Sequence, residues 1–96
     1  MPAPRRLIHS EWFDQALQRL GDVRDVETVL AKEFYRLSCY ANLVPLAPNS
    51  TTLRIYQSSR LLREDGGIVR VLIYFVLRQD DSVELQHIEA IEEEKI

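Results

Sequence analysis

The 96-residue chain has little of several residue types that would mark a specialised class of protein. Its single cysteine, Cys39, excludes an intramolecular disulfide and a metal site built from several thiolates, so we expect a reducing, cytoplasmic setting. Only three glycines and four prolines are present, which argues against collagen-like and disordered chains. No apolar run approaches the roughly 20 residues that span a bilayer, and none near the start has signal-peptide length. We therefore expect one domain over residues 1–96, with no membrane association.

Motifs for cofactors and metals are also missing. The sequence has no glycine-rich phosphate loop, no pair of histidines at metal-ligand spacing and no Ser-His-Asp order, so we expect neither a metal nor a cofactor. Of the two histidines, His9 and His87, only His87 lies where it could serve as a general acid or base. A partly exposed histidine without a chemical role is the commoner situation.

Charge is distributed unevenly along the chain. The net charge is −3, yet residues 1–79 hold eleven Lys/Arg against eight Asp/Glu. Residues 80–96 hold seven acids against Lys95 alone, and this imbalance ends in an acidic tail at about 92–96. A run of glutamates is usually a solvated surface, because nothing forces the carboxylates to converge.

The first half of the chain shows two helical patterns. A short strand over residues 5–9 comes first, followed by Ser10, whose side chain can cap a helix. Apolar residues then recur at the spacing of one helix face, in Phe13, Ala16, Leu17 and Leu20. Gly21 is a natural end for this helix, and Asp22 can cap a second helix that runs to Pro45. The short connection predicts an antiparallel pair of helices that needs a partner surface.

The second half of the chain is typical of three strands, over residues 51–62, 68–77 and 82–91. Turn residues separate them at 64–67 and 79–81. The alternation of the last strand breaks near Gln86 and His87, where a β-bulge would fit. The order of elements predicts an α+β fold, in which a helical hairpin covers one face of a mainly antiparallel sheet of three to four strands.

Alternation assigns the strand residues to faces. The middle strand has a wholly apolar face, which must lie beneath the helices, formed by Val69, Val71, Ile73, Phe75 and Leu77. Arg70 and Tyr74 therefore face the open side of the sheet. In the preceding strand we expect Leu53 and Ile55 to be buried. This would turn the polar residues to the open side, namely Arg54, Tyr56, Ser58 and Arg60.

An open sheet face with three arginines and two tyrosines is suited to RNA. Guanidinium groups bind phosphates, and aromatic rings stack on unpaired bases. The alternative is an ordinary polar sheet face, on which the arginines pair with Glu84 or Glu89 of the adjacent strand.

The segments LRIYQSSR (53–60), VRVLIYFV (69–76) and VELQHIEAI (83–91), in this order of elements, resemble the RelE/ParE superfamily of small bacterial toxins. The resemblance implies a toxin that a cognate antitoxin holds inactive. Arg70 matches the arginine that opens the core strand and binds the scissile phosphate in RNA-cleaving members, and Arg54 matches a basic position of the preceding strand. Those members cut ribosome-bound mRNA without a metal, by activating the 2′-hydroxyl beside the phosphate.

The expected site therefore has two parts. Arg70, Tyr74 and His87 are the candidate catalytic residues, and Arg54, Tyr56 and Arg60 are the candidate nucleic-acid contacts. Other functions remain open, since the ParE branch inhibits DNA gyrase and the glutamates at 92–94 favour a protein-interaction module without catalysis. A homodimer is also compatible with the sequence.

Overall fold

Two helices and a mixed five-stranded sheet make up the protein in a computed structural model, which describes residues 3–20, 26–62 and 66–92. In chain order the elements are β1 (Leu7–His9), α1 (Glu11–Gln18), α2 (Val26–Tyr40), a 3₁₀ turn (Ala41–Leu43), β2 (Leu53–Gln57), β3 (Leu61–Leu62), β4 (Ile68–Leu77) and β5 (Val83–Glu92). The predicted α+β class is confirmed. Three predicted features lie outside the described residues: the helix boundary at Gly21 and Asp22, part of the turn at 64–67, and the tail beyond Glu92.

The sheet has the strand order β1-β5-β4-β2, and β3 also pairs with β4. Strand β1 runs parallel to β5, while the other pairs are antiparallel. The strand expected over 51–62 is divided into β2 and β3 because Ser58 turns its side chain into the ladder. Its Oγ accepts from the Val71 N–H at 2.8 Å, and its own N–H donates to the Val71 carbonyl at 2.9 Å.

The core lies between the helices and one face of β4. Val69, Val71, Ile73 and Phe75 are all fully buried, as their alternation predicts, and Leu77 packs against the same cluster. The helix layer contributes buried apolar side chains from both helices, among them Phe13, Ala16, Leu30 and Leu37. Burial of this face removes a continuous apolar surface from water, which is the main source of its stability.

Helix α1 begins at the predicted position, and helix α2 ends near its predicted position. The Phe13 N–H donates to Ser10 Oγ at 3.1 Å, so Ser10 caps α1 as predicted. Helix α1 ends at Gln18, before the expected stop, and α2 passes into the 3₁₀ turn ahead of Pro45. Of the helices in the described ranges, none has the length and apolar character needed to cross a bilayer.

The predicted turn and bulge around β5 are both present. The Asp81 N–H donates to the Arg78 carbonyl at 3.0 Å, and Asp81 has a positive φ of 70°. Further along, Phe75 pairs with Leu85 whereas Tyr74 pairs with His87. Gln86 is therefore the extra residue of a β-bulge.

Arg5 joins three separate parts of the chain. Its guanidinium donates to the Cys39 carbonyl at 3.0 Å and to the Ser38 carbonyl at 3.3 Å, both at the end of α2. It also contacts Asp81 at 3.0 Å, in the turn between β4 and β5, and Asn42 at 3.3 Å. A cation at this end of a helix satisfies free carbonyls and complements the helix dipole.

We expect Arg5→Ala to lower the free energy of unfolding by about 1–3 kcal/mol, because it leaves partly buried carbonyls without their charged donor. Arg6→Ala is the matched control, since Arg6 is the neighbouring exposed arginine. Urea denaturation of both variants measures the difference. Equal stability of the two variants would contradict the role given to Arg5.

Candidate functional site

Tyr74, His87 and Glu89 form a cluster on the open face of the sheet, the face opposite the helices. The Tyr74 hydroxyl donates to Glu89 Oε1 at 2.5 Å. His87 Nε2 lies 3.7 Å from Glu89 Oε2, and the Tyr74 and His87 rings are 5.4 Å apart between centroids. A phenol and an imidazole thus share one carboxylate.

The bulge at Gln86 creates this arrangement. Leu85, on the helix side of β5, is fully buried, so regular alternation would turn residue 87 to the helix side as well. The extra residue reverses the alternation, and Ile88 is buried on the helix side instead. His87 and Glu89 consequently lie on the open face, beside Tyr74.

Arg70 lies on the same face, four residues before Tyr74 on β4. It pairs across the sheet with Ile91, which makes Glu89 its diagonal neighbour on β5. Diagonal neighbours are roughly 7–8 Å apart, within reach of an arginine side chain. All three candidate catalytic residues therefore share one face with Glu89, and these four side chains are called the open-face cluster below.

Glu89 controls the ionisation of Tyr74. The hydrogen bond to Glu89 raises the pKa of Tyr74 to about 12, with a smaller contribution from burial and from the charge of Glu89. The phenol therefore stays protonated at neutral pH. It acts as a fixed donor that orients the carboxylate, and Glu89 keeps its second oxygen towards His87.

The face assigned to Arg54 and Tyr56 was wrong. In the register of β2 on β4, Arg54 pairs with Phe75 and Tyr56 with Ile73, so both side chains lie on the helix side. Arg54 Nη1 donates to the Val44 carbonyl at 2.5 Å, just beyond the 3₁₀ turn. The apolar residues Leu53 and Ile55 occupy the open face instead, opposite Val76 and Tyr74.

The expected nucleic-acid contacts thus do not come together. Arg54 and Tyr56 bind elements of the helix layer, and Ser58 is buried in the ladder with Val71. Arg60 is exposed in the connection between β2 and β3. Polar side chains can lie on the helix side of β2 because it is an edge strand. At the edge of the core, long side chains such as those of Arg54 and Tyr56 extend past the apolar residues to polar partners.

A second polar cluster surrounds Glu33 of α2, whose side chain is only 3% exposed. Its carboxylate accepts from the Tyr56 hydroxyl, from Ser59 Oγ at 2.6 Å and from the Ser59 N–H at 3.2 Å. Glu33 lies at helical spacing from the buried Leu30 and Leu37 of α2, and this spacing is the sequence signal that could have found a buried polar contact. The cluster ties α2 to the end of β2.

Opposing effects act on Glu33. Burial alone would raise the pKa of the Glu33 carboxyl, but the hydrogen bonds from Ser59 and Tyr56 and the charge of Arg36 outweigh it and lower this pKa. For Tyr56, burial and the bond to Glu33 together raise the pKa to about 12. The pair is therefore a carboxylate and a neutral phenol, whose role is to hold the fold together.

The open face also carries apolar residues that no described helix covers. Ile8, Leu53, Ile55, Leu72 and Val76 lie there by register, around the open-face cluster.

Among the residues with described positions, no group of three or more His, Cys, Asp or Glu side chains could hold a metal ion.

Comparisons with known proteins assign no family to this geometry. No family model, no curated protein and no solved structure matches the chain. The resemblance to RelE/ParE toxins rests on the three strand segments and the order of elements, and it stays a prediction.

We expect Glu33→Gln to lower the free energy of unfolding by about 1–3 kcal/mol near neutral pH, because the buried hydrogen bonds lose their charged acceptor. The lowered pKa of Glu33 stabilises the fold above its ordinary value of 4.5, and this contribution disappears as the pH falls through the folded pKa. The gap between the two proteins should therefore narrow in acid. Urea denaturation at several pH values measures it, with Glu11→Gln as the exposed control. A gap that is constant with pH would refute this account.

Glu89→Gln should lower the pKa of Tyr74 from about 12 towards its ordinary value of 10.0, because the phenol loses a charged acceptor. NMR titration of ring-labelled tyrosine measures this shift, and Tyr74→Phe identifies the signal. The pKa of Tyr56 should stay raised in the same sample. If the pKa of Tyr74 is the same in Glu89→Gln as in the wild type, the hydrogen bond between Tyr74 and Glu89 is not formed in solution.

Proposed function

We propose that the protein is a RelE/ParE-like toxin of a bacterial toxin-antitoxin pair, and that it cleaves RNA at the open-face cluster. The observation that supports this most is the meeting of Tyr74, His87 and Glu89 on one exposed face that also carries Arg70. The cluster supplies a base, an acid and a cation, which are the groups that metal-independent RNA cleavage needs. The expected partners are mRNA on the ribosome and a cognate antitoxin.

The chemistry follows from the residue types. In the proposed reaction the Glu89 carboxylate takes the proton of a ribose 2′-hydroxyl, and the resulting oxygen attacks the adjacent phosphorus. The bond from phosphorus to the 5′-oxygen breaks, and protonated His87 gives that oxygen a proton. The products are a 2′,3′-cyclic phosphate and a 5′-hydroxyl. Tyr74 holds Glu89 in place through its hydrogen bond.

Arg70 has the electrostatic role. Its guanidinium is always charged and can bind two phosphate oxygens at once, which stabilises the charge that develops in the transition state. Because Arg54 and Tyr56 face the helices, the face offers fewer contacts to neighbouring nucleotides than the sequence predicted. We therefore expect the RNA strand to be bound largely by surfaces outside this cluster, such as those of the ribosome.

We expect the purified protein to cut ribosome-bound mRNA and to leave cyclic phosphate ends. His87→Ala should lower the rate by about 10²–10⁴, the range for loss of a proton-transfer group. Arg70→Ala should lower it by about 10²–10³, the range for loss of one donor that stabilises transition-state charge. The matched control is His9→Ala, because the His9 side chain is 41% exposed against 48% for His87 and lies on the other side of the sheet. Cleavage is followed by mapping RNA ends.

The outcomes separate the proposal from its rivals. Equal cleavage by wild type and His87→Ala, with both proteins folded, would remove His87 from the mechanism. Viable count after induction in a bacterial host gives the cellular test: growth arrest that Arg70→Ala relieves and His9→Ala does not relieve supports a toxin acting through the open face.

A protein-interaction module is the second candidate, and the half-buried apolar residues that share the open face favour it. Surfaces of this kind commonly bind another protein. An inhibitor of DNA gyrase belongs to this group, and it would block supercoiling in vitro without cutting RNA. If the folded protein neither cuts RNA nor blocks supercoiling, and does not arrest growth, it is an interaction module with no toxin function.

A further inference from the structure

The outer edge of β5 is covered along only part of its length. On one side β5 pairs with β4 from Val83 to Glu92, but on the other side β1 reaches only Val83–Leu85. The Ser10 N–H donates to the Leu85 carbonyl at 3.2 Å and ends this pairing. Beyond it, no strand within 3–20, 26–62 or 66–92 pairs with the edge at 86–92. Such an edge presents backbone donors and acceptors that can pair with an added strand.

This open edge borders a groove. A cavity of about 460 Å³ lies between the end of α1 and β5, lined by Ala16, Arg19, Leu20, His87, Ile88, Glu89 and Ala90. The α1 side supplies the apolar surface of Ala16 and Leu20, and the β5 side supplies the strand itself. A backbone edge beside side-chain contacts is the arrangement that binds extended peptides, since the edge gives affinity and the contacts give selectivity.

The occupant of the groove could be a second copy of this chain or a segment of a partner protein, and the charge of β5 distinguishes between them. Strand β5 (Val83–Glu92) contains three glutamates and no lysine or arginine, with His87 as its only basic residue. A second copy of the chain would bring this acidic strand against itself, and like charges that face each other across strands are destabilising. An extended segment with lysine or arginine would instead place opposite charge beside Glu89.

We propose that this groove binds an extended basic segment of a partner protein, which adds to β5 as a further strand along residues 86–92. The groove shares His87 and Glu89 with the open-face cluster, but its main contact is the backbone edge of β5. It does not depend on RNA cleavage, and it serves a toxin or an interaction module equally. The expected partner is recognised by alternating basic and apolar residues, the pattern of a strand with two different faces.

The test uses the full chain and a labelled, end-blocked peptide of about ten alternating lysine and valine residues, a common strand length. One control peptide carries N-methyl groups on alternate residues, which remove backbone donors without changing charge. A second control replaces lysine with glutamate. We expect the lysine peptide to bind, and both controls to bind at least about tenfold more weakly, as measured by fluorescence polarisation.

Two further readouts locate the site. Amide hydrogen exchange at residues 86–92 should slow when the lysine peptide binds. Arg19→Glu should tighten binding of this peptide, because Arg19 lines the groove and repels lysine. Arg6→Glu, with the same change of charge on an exposed arginine outside the groove lining, should bind as wild type does apart from a general charge effect.

Three results would overturn the proposal. If the N-methylated peptide binds as tightly as the lysine peptide, binding is due to general charge attraction and not to an added strand. If the lysine peptide does not bind, the groove is not a site for a basic strand. Protection, in the peptide-free protein, of those amides of residues 86–92 that point away from β4, together with a dimeric mass in sedimentation, would assign the edge to a second copy.

Discussion

Burial of one face of β4 is the constraint on which the rest of the structure depends. Val69, Val71, Ile73 and Phe75 lose all contact with water beneath the helices. A shift of one residue in this strand would expose the whole set, so the register is strongly determined. Since β2, β3 and β5 all pair with β4, their faces follow from this single choice. The position of Tyr74 and Arg70 on the open side is its direct result.

The bulge at Gln86 is the one departure from regular pairing that changes the chemistry of the surface. It lets β5 bury Leu85 and Ile88 while it turns His87 and Glu89 outward. Apolar packing and the polar cluster would otherwise compete for the same alternation. The irregularity thus serves two requirements at once, which is why bulges are common beside functional sites.

Local patterns predicted much of this fold. The cap at Ser10, the buried face of β4, the turn at 79–81 and the bulge all depend on signals within a few residues, and all are present. The face of β2 was not predicted correctly. It depends on long-range partners, because Arg54 and Tyr56 reach the Val44 carbonyl and Glu33 from a strand at the rim of the sheet. Glu89 gained its place in the candidate site for the same reason, since only the pairing register brings it to Tyr74.

The parallel pairing of β1 with β5 has a consequence for synthesis. Strand β1 is synthesised before β5, so it can pair in the sheet only after β5 has followed it. Until then Arg5 has no Asp81 to contact, and the helices have only part of the surface that they will cover. Pairing of β1 with β5 closes a large loop of chain, which slows folding in comparison with a protein built from neighbouring contacts. The part of the chain made before β5 therefore depends on that strand for its native shape.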